Sequence, residues 1–305
     1  MAKKMLNKDQ TQSTGNDCIP MQAAGDINFN GNISVNHGLS YKDVKEIFYD
    51  LFKVNYYELS NQANAIAEKR VQELIDKFLD ELKCQNPEGL AQAINSDFQY
   101  DIFIAQREYA RSGDPVLADI LISLLIERTK ETQRSRTQIV LNESIAVASK
   151  LTREEFDILT IWFISQHCIK QWEFHNISDL RNYIDVYILP FLGSLEKEKS
   201  WYTHLVYAGC GFIQAFQVMD IDMVIHNKSA GIIPEGFKNI FGYLVSEYPS
   251  IEPLLCIREP YFNEAIEMNM KKPESCMSLT SVGIAIGYAN LCRVTGEKFN
   301  LSNWI

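Results

Sequence analysis

Two aspartates and a histidine form the group of residues with the clearest potential for chemistry. The chain reads Asp220-x-Asp222, and His226 follows shortly after. Two carboxylates and an imidazole can hold a divalent metal ion or share the proton transfers of acid–base catalysis. A polar turn between two apolar stretches would contain the same residues, and we favour that structural interpretation. The group defines the enzymatic hypothesis for this chain, a hydrolase or nuclease-like effector.

Cysteine and histidine make up the next candidates. His167, Cys168 and His175 include the ligand types of a zinc site, or a thiolate with its base. Their spacing fits no zinc motif, and a fourth ligand is missing from the pattern. Cys210 lies between two glycines, which suits either a reactive thiol at a tight turn or the buried end of a helix. We favour structural roles for these residues and expect no metal and no cofactor.

Composition limits the classes of function. The chain has 305 residues, a net charge of −10 and seven cysteines, with no C-x-x-C pair. Wide cysteine spacing indicates reduced thiols, as in cytosolic proteins. Nucleic-acid-binding domains usually carry a basic face, so we expect no nucleic-acid partner and rank a nucleic-acid-binding regulator as the third hypothesis. The longest apolar run, Val116 to Ile126, is interrupted by Asp119 and is too short to cross a membrane. We therefore expect a cytoplasmic protein without membrane contact.

The most regular pattern lies near the N-terminus, from Gly25 to Val35. Apolar and polar residues alternate there, which predicts a β-strand with one apolar face. The neighbouring sequence offers no partner strand, and a lone strand leaves its backbone groups unpaired. We therefore predict that copies of the chain pair through this segment, and the alternative is a disordered polar tail. The residues predicted to mediate oligomerisation are Ile27, Phe29, Ile33 and Val35.

A helical stretch without glycine or proline follows, from Tyr41 to Gln85. Its apolar residues recur every three or four positions, which is typical of an amphipathic helix. One unbroken helix would be about 65 Å long and would form a stalk or coiled coil. The alternative is a break near Ser60-Asn61. The aromatic pair Phe48 and Phe52 favours packing against a domain over a two-stranded seam.

Helix boundaries are clearest in the middle of the chain. Ser112 to Pro115 predicts the end of one helix at Gly113 and the start of another, with Asp114 as its N-cap. Thr152 and Glu155 have the spacing of a capping box. Farther on, Pro190 predicts the end of a helix.

These signals predict a mainly α protein in three parts. Residues 1–38 form a polar tail with the β oligomerisation segment, and residues 39–150 form a long helix and a helical bundle. Residues 151–305 form a C-terminal α+β domain, in which Gly283 and Gly287 allow two helices to approach closely.

Two stretches together resemble a family of bacterial cytosolic proteins of unknown function. One is Ala24-Gly25-Asp26-Ile27-Asn28 followed by Gly38 to Val44, and the other is Leu279 to Ile286 followed by Leu301 to Ile305. The Leu-Thr-x-x-Gly segment that begins at Leu279 is similar to one in the winged-helix-like ends of abortive-infection proteins. The resemblance implies a bacterial protein in phage defence and transfers no catalytic residue.

The leading hypothesis is therefore a non-enzymatic scaffold. It would self-associate through Gly25–Val35 and the first helix, and present its C-terminal part to a protein partner.

Overall fold

The computed structural model describes residues 39–55, 61–168, 173–192, 199–215 and 275–305, together with residues 232, 243 and 246–249. The alternating segment Gly25–Val35 lies outside the described residues, as do Asp220, Asp222 and His226. What the sequence predicts for them stays a prediction.

The described residues form ten α-helices and one small antiparallel sheet, so the mainly α class is confirmed. Among the helices that the structure describes, none combines the length and hydrophobicity that crossing a bilayer requires. The helices are α1 (Tyr41–Asn55), α2 (Asn61–Gln85), α3 (Ser96–Ser112), α4 (Pro115–Thr129), α5 (Arg136–Ala148), α6 (Arg153–Phe163), α7 (Ile177–Tyr183), α8 (Leu189–Leu192), α9 (Lys199–Tyr207) and α10 (Ser281–Thr295). The strands are β1 (Gly211–Ala215) and β2 (Ser275–Leu279), with Gly211 opposite Leu279.

Helices α1 and α2 lie side by side in opposite directions, because Tyr41 at the start of α1 contacts Lys83 near the end of α2 (4.7 Å from the ring centre). Lys45 Nζ is 2.6 Å from a carboxylate oxygen of Asp76, and the rings of Phe48 and Phe78 are 6.3 Å apart. One continuous helix would separate Lys45 and Asp76 by about 46 Å. The prediction of a single long helix is therefore wrong, and the alternative of a break near Ser60-Asn61 is confirmed. The physical reason is burial, because the hairpin places the aromatic face of α1 in the core.

Most of the predicted helix boundaries are confirmed by their hydrogen bonds. Gly113 has a φ of 65° and its N–H donates to Tyr109 at the end of α3, while the Asp114 side chain accepts from Val116 at the start of α4. Both hydrogen bonds of the Thr152–Glu155 capping box are present.

Pro190 does not end its helix, which is a correction to the prediction. A π-helical turn at Ile184–Ile188 directly precedes α8, and the N–H of Leu189 donates to Ile184. This wider turn has already shifted the hydrogen-bond register when the chain reaches Pro190, which has no N–H to contribute.

Helix α10 lies in the middle of the core. Every residue from Val282 to Leu291 is buried, and the helix packs against α4, α5 and α6. Its polar residue Asn290 donates to Thr160 Oγ1 (2.8 Å) and to Asp157 Oδ1 (3.1 Å) of α6. A helix that is surrounded on all sides needs such internal partners, because an unpaired buried amide is costly.

A buried arginine connects α3, α4 and α5. Arg128 of α4 has no exposed surface, and its Nη2 donates to Asp97 of α3 (2.9 Å). Its Nε donates to Asn142 of α5 (2.7 Å). The same Nε lies 3.2 Å from Asp101 Oδ2, and this pair is an ion pair without a hydrogen bond. Burying a guanidinium is tolerated only when acceptors and opposite charge surround it in this way.

The two carboxyl groups around Arg128 differ in their protonation. Burial raises the pKa of Asp101 to about 7, against the opposing attraction of Arg128. A hydrogen bond from Asn142, together with contacts to Arg128, lowers the pKa of Asp97. One carboxylate therefore carries the counter-charge, while the other holds its proton in the acidic range.

We expect the contribution of Asp101 to the free energy of unfolding to fall as the pH rises from about 4 to about 7. Over that range Asp101 keeps its proton in the folded state but releases it in the unfolded state, so the unfolded state is stabilised relative to the folded state. Asp101→Asn removes this contribution, which is at most about 4 kcal/mol at 1.36 kcal/mol for each pH unit. Urea unfolding on both sides of this range measures it. Asp50→Asn, on the exposed face of α1, is the control and should keep the wild-type pH dependence. An Asp101→Asn protein with unchanged pH dependence would contradict the assignment.

Candidate functional site

The cysteine and histidine candidates lie in structural positions. Cys168 is buried, and burial raises the pKa of its thiol to about 12, so it is protonated and a weak nucleophile. The ring of His167 stacks on Phe163 with 5.8 Å between centroids. His175 is exposed ahead of α7, where its backbone N–H donates to Asp179. Within the described ranges, no group of three or more His, Cys, Asp or Glu side chains is placed to hold a metal ion.

The turn at Gly209-Cys210-Gly211 and the Leu-Thr-x-x-Gly segment contact each other. Thr280 caps α10 through Gly283, and its hydroxyl donates to the carbonyl of Gly209 (2.6 Å). The N–H of Thr280 donates to the carbonyl of Cys210 (3.0 Å). Cys210 is fully buried, which raises the pKa of its thiol to about 12. The turn therefore lies between the end of α9 and the start of β1, and its carbonyl groups accept the hydrogen bonds that hold the start of α10.

An open cleft of about 360 Å³ is the candidate binding site on the described surface. Helix α4 forms its floor and packs against both α2 and α10, which supply the walls. Ligand sites are typically concavities of about 300–1,000 Å³. Each helix contributes residues three or four positions apart, which lie on one face. The lining side chains include Lys77, Glu81, Gln85, Asp119, Ile122, Ser123, Glu127, Tyr288, Cys292, Arg293 and Lys298.

The α2 and α4 side of the cleft carries acidic groups. Lys77 Nζ and Asp119 Oδ1 form an ion pair of 2.5 Å, in which the lysine side chain is 55% exposed. Glu81 accepts a hydrogen bond from the side-chain amide of Gln85 (2.5 Å). Because that amide is neutral, the hydrogen bond does not compensate the negative charge of Glu81. Glu127 is 9% exposed. This side therefore presents three carboxylates, Glu81, Asp119 and Glu127, and one lysine to the cleft.

The α10 side of the cleft carries basic groups. Arg293 Nε and Nη2 both donate to Asn290 Oδ1 (3.0 and 2.8 Å), which fixes the guanidinium against the buried helix. Lys298 is exposed and lies just beyond the end of α10. The hydroxyl of Tyr288 donates to the carbonyl of Phe299 (2.8 Å) and so holds this segment along the cleft. The two walls thus have opposite charge.

A carboxylate–histidine pair lies elsewhere, between α6 and α9. His204 Nδ1 is 2.6 Å from Glu155 Oε1, and Glu155 is buried with its other oxygen bonded to the N–H of Thr152 (2.8 Å). A carboxylate on Nδ1 orients an imidazole as in a catalytic triad, and it also joins two helices. Sequence reasoning assigned Glu155 to the capping box only, because its partner is 49 residues away.

Comparison with known proteins gives a family and little more. A family of unknown function has a model that matches residues 38–257 and 242–305, and the chain belongs to this family. The match begins at residue 38, so Gly25–Val35 lies outside it. Neither the curated proteins nor the solved structures include a significant match.

We expect Gly283→Ala to destabilise the protein by about 3 kcal/mol or more, because overpacking forces the backbone to move. A Cβ at this position would lie 1.9 Å from the carbonyl oxygen of Cys210. Thermal unfolding followed by circular dichroism measures the change.

Gly296→Ala is the matched control. Gly296 has a φ of 72° and no atom within 4 Å of an added Cβ, so only the backbone cost of about 1 kcal/mol should appear. Equal losses of stability in the two variants would show that the close approach at Gly283 does not cause the destabilisation.

Proposed function

We propose that this protein is a non-enzymatic scaffold that forms a homo-oligomer and gathers its C-terminal parts for a protein partner. The observation that supports the proposal is the anchoring of α1. This helix starts six residues after Val35, so it would join the predicted strand directly to the folded body.

The anchoring of α1 involves its start, its apolar face and its polar face. The hydroxyl of Ser40 accepts from the N–H of Asp43 (3.2 Å), and the Asp43 carboxylate accepts from the N–H of Ser40 (2.9 Å), which closes a capping box. Phe48 and Phe52 are buried, and Gln106 Nε2 donates to the carbonyl of Phe48 (2.9 Å). Strand pairing between copies would therefore bring several rigid bodies together, and weak contacts of each body with a partner would gain avidity.

The setting follows from the resemblance of the chain ends to bacterial proteins. We infer a bacterial, cytoplasmic protein that acts in antiviral defence, with a winged-helix-like C-terminal part as the interaction module. The strands β1 and β2 and the adjoining α10 are the parts from which such a module would be built. The net charge of −10 argues against DNA or RNA as its partner, and a salt-sensitive mobility shift with either would support the nucleic-acid alternative instead.

An enzymatic function is the second candidate, and the Glu155–His204 pair is the observation that favours it. An imidazole held at Nδ1 by a buried carboxylate can act as a general base. Asp220, Asp222 and His226 would supply the metal or acid–base groups of a hydrolase or nuclease-like effector. Loss of the cellular function in Asp222→Ala and His204→Asn, with assembly intact, would favour this candidate over the scaffold.

The mass in solution tests the scaffold proposal. The full chain should exceed its monomer mass of 35.0 kDa in multi-angle light scattering, and a chain that lacks residues 1–38 should be monomeric. Phe29→Asn should weaken assembly because it breaks the apolar face of the strand. Asn30→Ser, on the polar face, is the control and should assemble normally. If the full chain and the deletion both run as monomers, the proposal is wrong.

A further inference from the structure

We propose that the cleft between α2, α4 and α10 binds a small amphoteric molecule that carries both an ammonium and a carboxylate group. Free α-amino acids are the simplest members of this class. The site goes beyond the scaffold function, because binding here requires neither strand pairing nor a partner of the C-terminal part.

The charge arrangement of the cleft selects this class of ligand. On the α2 and α4 side, the carboxylates of Glu81, Asp119 and Glu127 outnumber the one lysine of that wall, Lys77. The α10 side has two basic groups, Arg293 and Lys298. A purely anionic ligand such as a phosphate would meet the basic wall but would be repelled by the net negative charge of the opposite wall. A purely cationic ligand would be attracted by the acidic wall but repelled by the basic wall. A molecule with both charges can satisfy both walls at once.

The cleft is held in place by buried contacts, so it exists before a ligand arrives. Tyr288 is 1% exposed, and its hydroxyl reaches Glu127 Oε1 at 3.4 Å across the junction of α10 and α4. Asn290, which has no exposed surface, fixes Arg293. A preorganised pair of opposite charges reduces the ordering cost of binding.

Lys130 is the group that competes most directly with a ligand ammonium. It lies 2.5 Å from Glu127 Oε1, but its side chain is 45% exposed and it is only three residues along the same chain. An ion pair with a lysine this exposed is weak, and the Lys77–Asp119 pair of the cleft is of the same kind. A ligand ammonium can therefore share the Glu127 carboxylate or displace Lys130 into solvent.

Calorimetric titration of the full chain with the proteinogenic L-amino acids tests the proposal. Butylamine and butyrate, each of which carries one of the two charged groups, are the matched probes. At least one amino acid should bind, and the single-charge probes should bind at least about tenfold more weakly because each leaves one wall unpaired. Absence of binding by every amino acid, or equal binding by butylamine or butyrate, would overturn the proposal.

Substitutions locate the binding to this cleft. Glu81→Gln and Lys298→Gln should each weaken binding about tenfold, because each removes one charge-assisted contact. Lys69→Gln, on the exposed face of α2, is the control and should bind as the wild type does. Unchanged binding in both cleft variants would also overturn the proposal. Their mass in solution should equal that of the full chain, which keeps this result separate from the test of self-association.

Discussion

The fold depends on how closely the buried helix α10 approaches its neighbours. A Cβ on Gly287 would lie 2.6 Å from the carbonyl oxygen of Leu159 in α6, and one on Gly283 would meet the turn after α9. At the same junction the hydroxyl of Thr160 bonds to the carbonyl of Phe156 (2.8 Å) and lies 3.3 Å from that of Gly287. The absence of a side chain at these two glycines therefore allows α10 to lie against both α6 and the turn at Cys210. The remaining helices pack around that arrangement. The cleft is one result, because α4 touches α2 on one side and α10 on the other.

Local chemical signals in the sequence were sufficient to predict much of the fold. Gly113, Asp114 and the Thr152–Glu155 pair mark helix ends by satisfying backbone groups nearby, and the structure confirms them. The expectation of close helix approach is confirmed at Gly287, which faces α6, whereas Gly283 faces the turn at Cys210 instead of a helix. The sequence left one long helix and a break near Ser60-Asn61 as alternatives, because no Gly or Pro interrupts the helical pattern there. Only the tertiary contact that buries Phe48 and Phe52 decides that the chain turns back.

The cleft could not be derived from the sequence, for a related reason. Its walls come from α2 and from the end of α10, and no motif connects two surfaces so distant along the chain. The surroundings of Arg128 in the core could not be predicted either. Nothing in the sequence indicates that Asp97, Asp101 and Asn142 lie around it. The structural roles that the sequence favoured for Cys168 and Cys210 agree with the structure, because burial raises the pKa of both thiols and keeps them protonated.

The position of α10 in the sequence has a consequence for how the protein acquires its structure. In the first half, partners lie fairly near one another, as with Gln138 and Asp97, which are 41 residues apart. The partners of α6 lie much farther along, since Thr160 meets Asn290 across 130 residues. Contacts between distant residues form slowly, because a long loop must close before they contribute stability. We therefore expect α2 to α5 to assemble early, while the apolar face of α6 stays exposed until α10 packs against it. During that interval the chain depends on chaperones or low concentration to avoid aggregation.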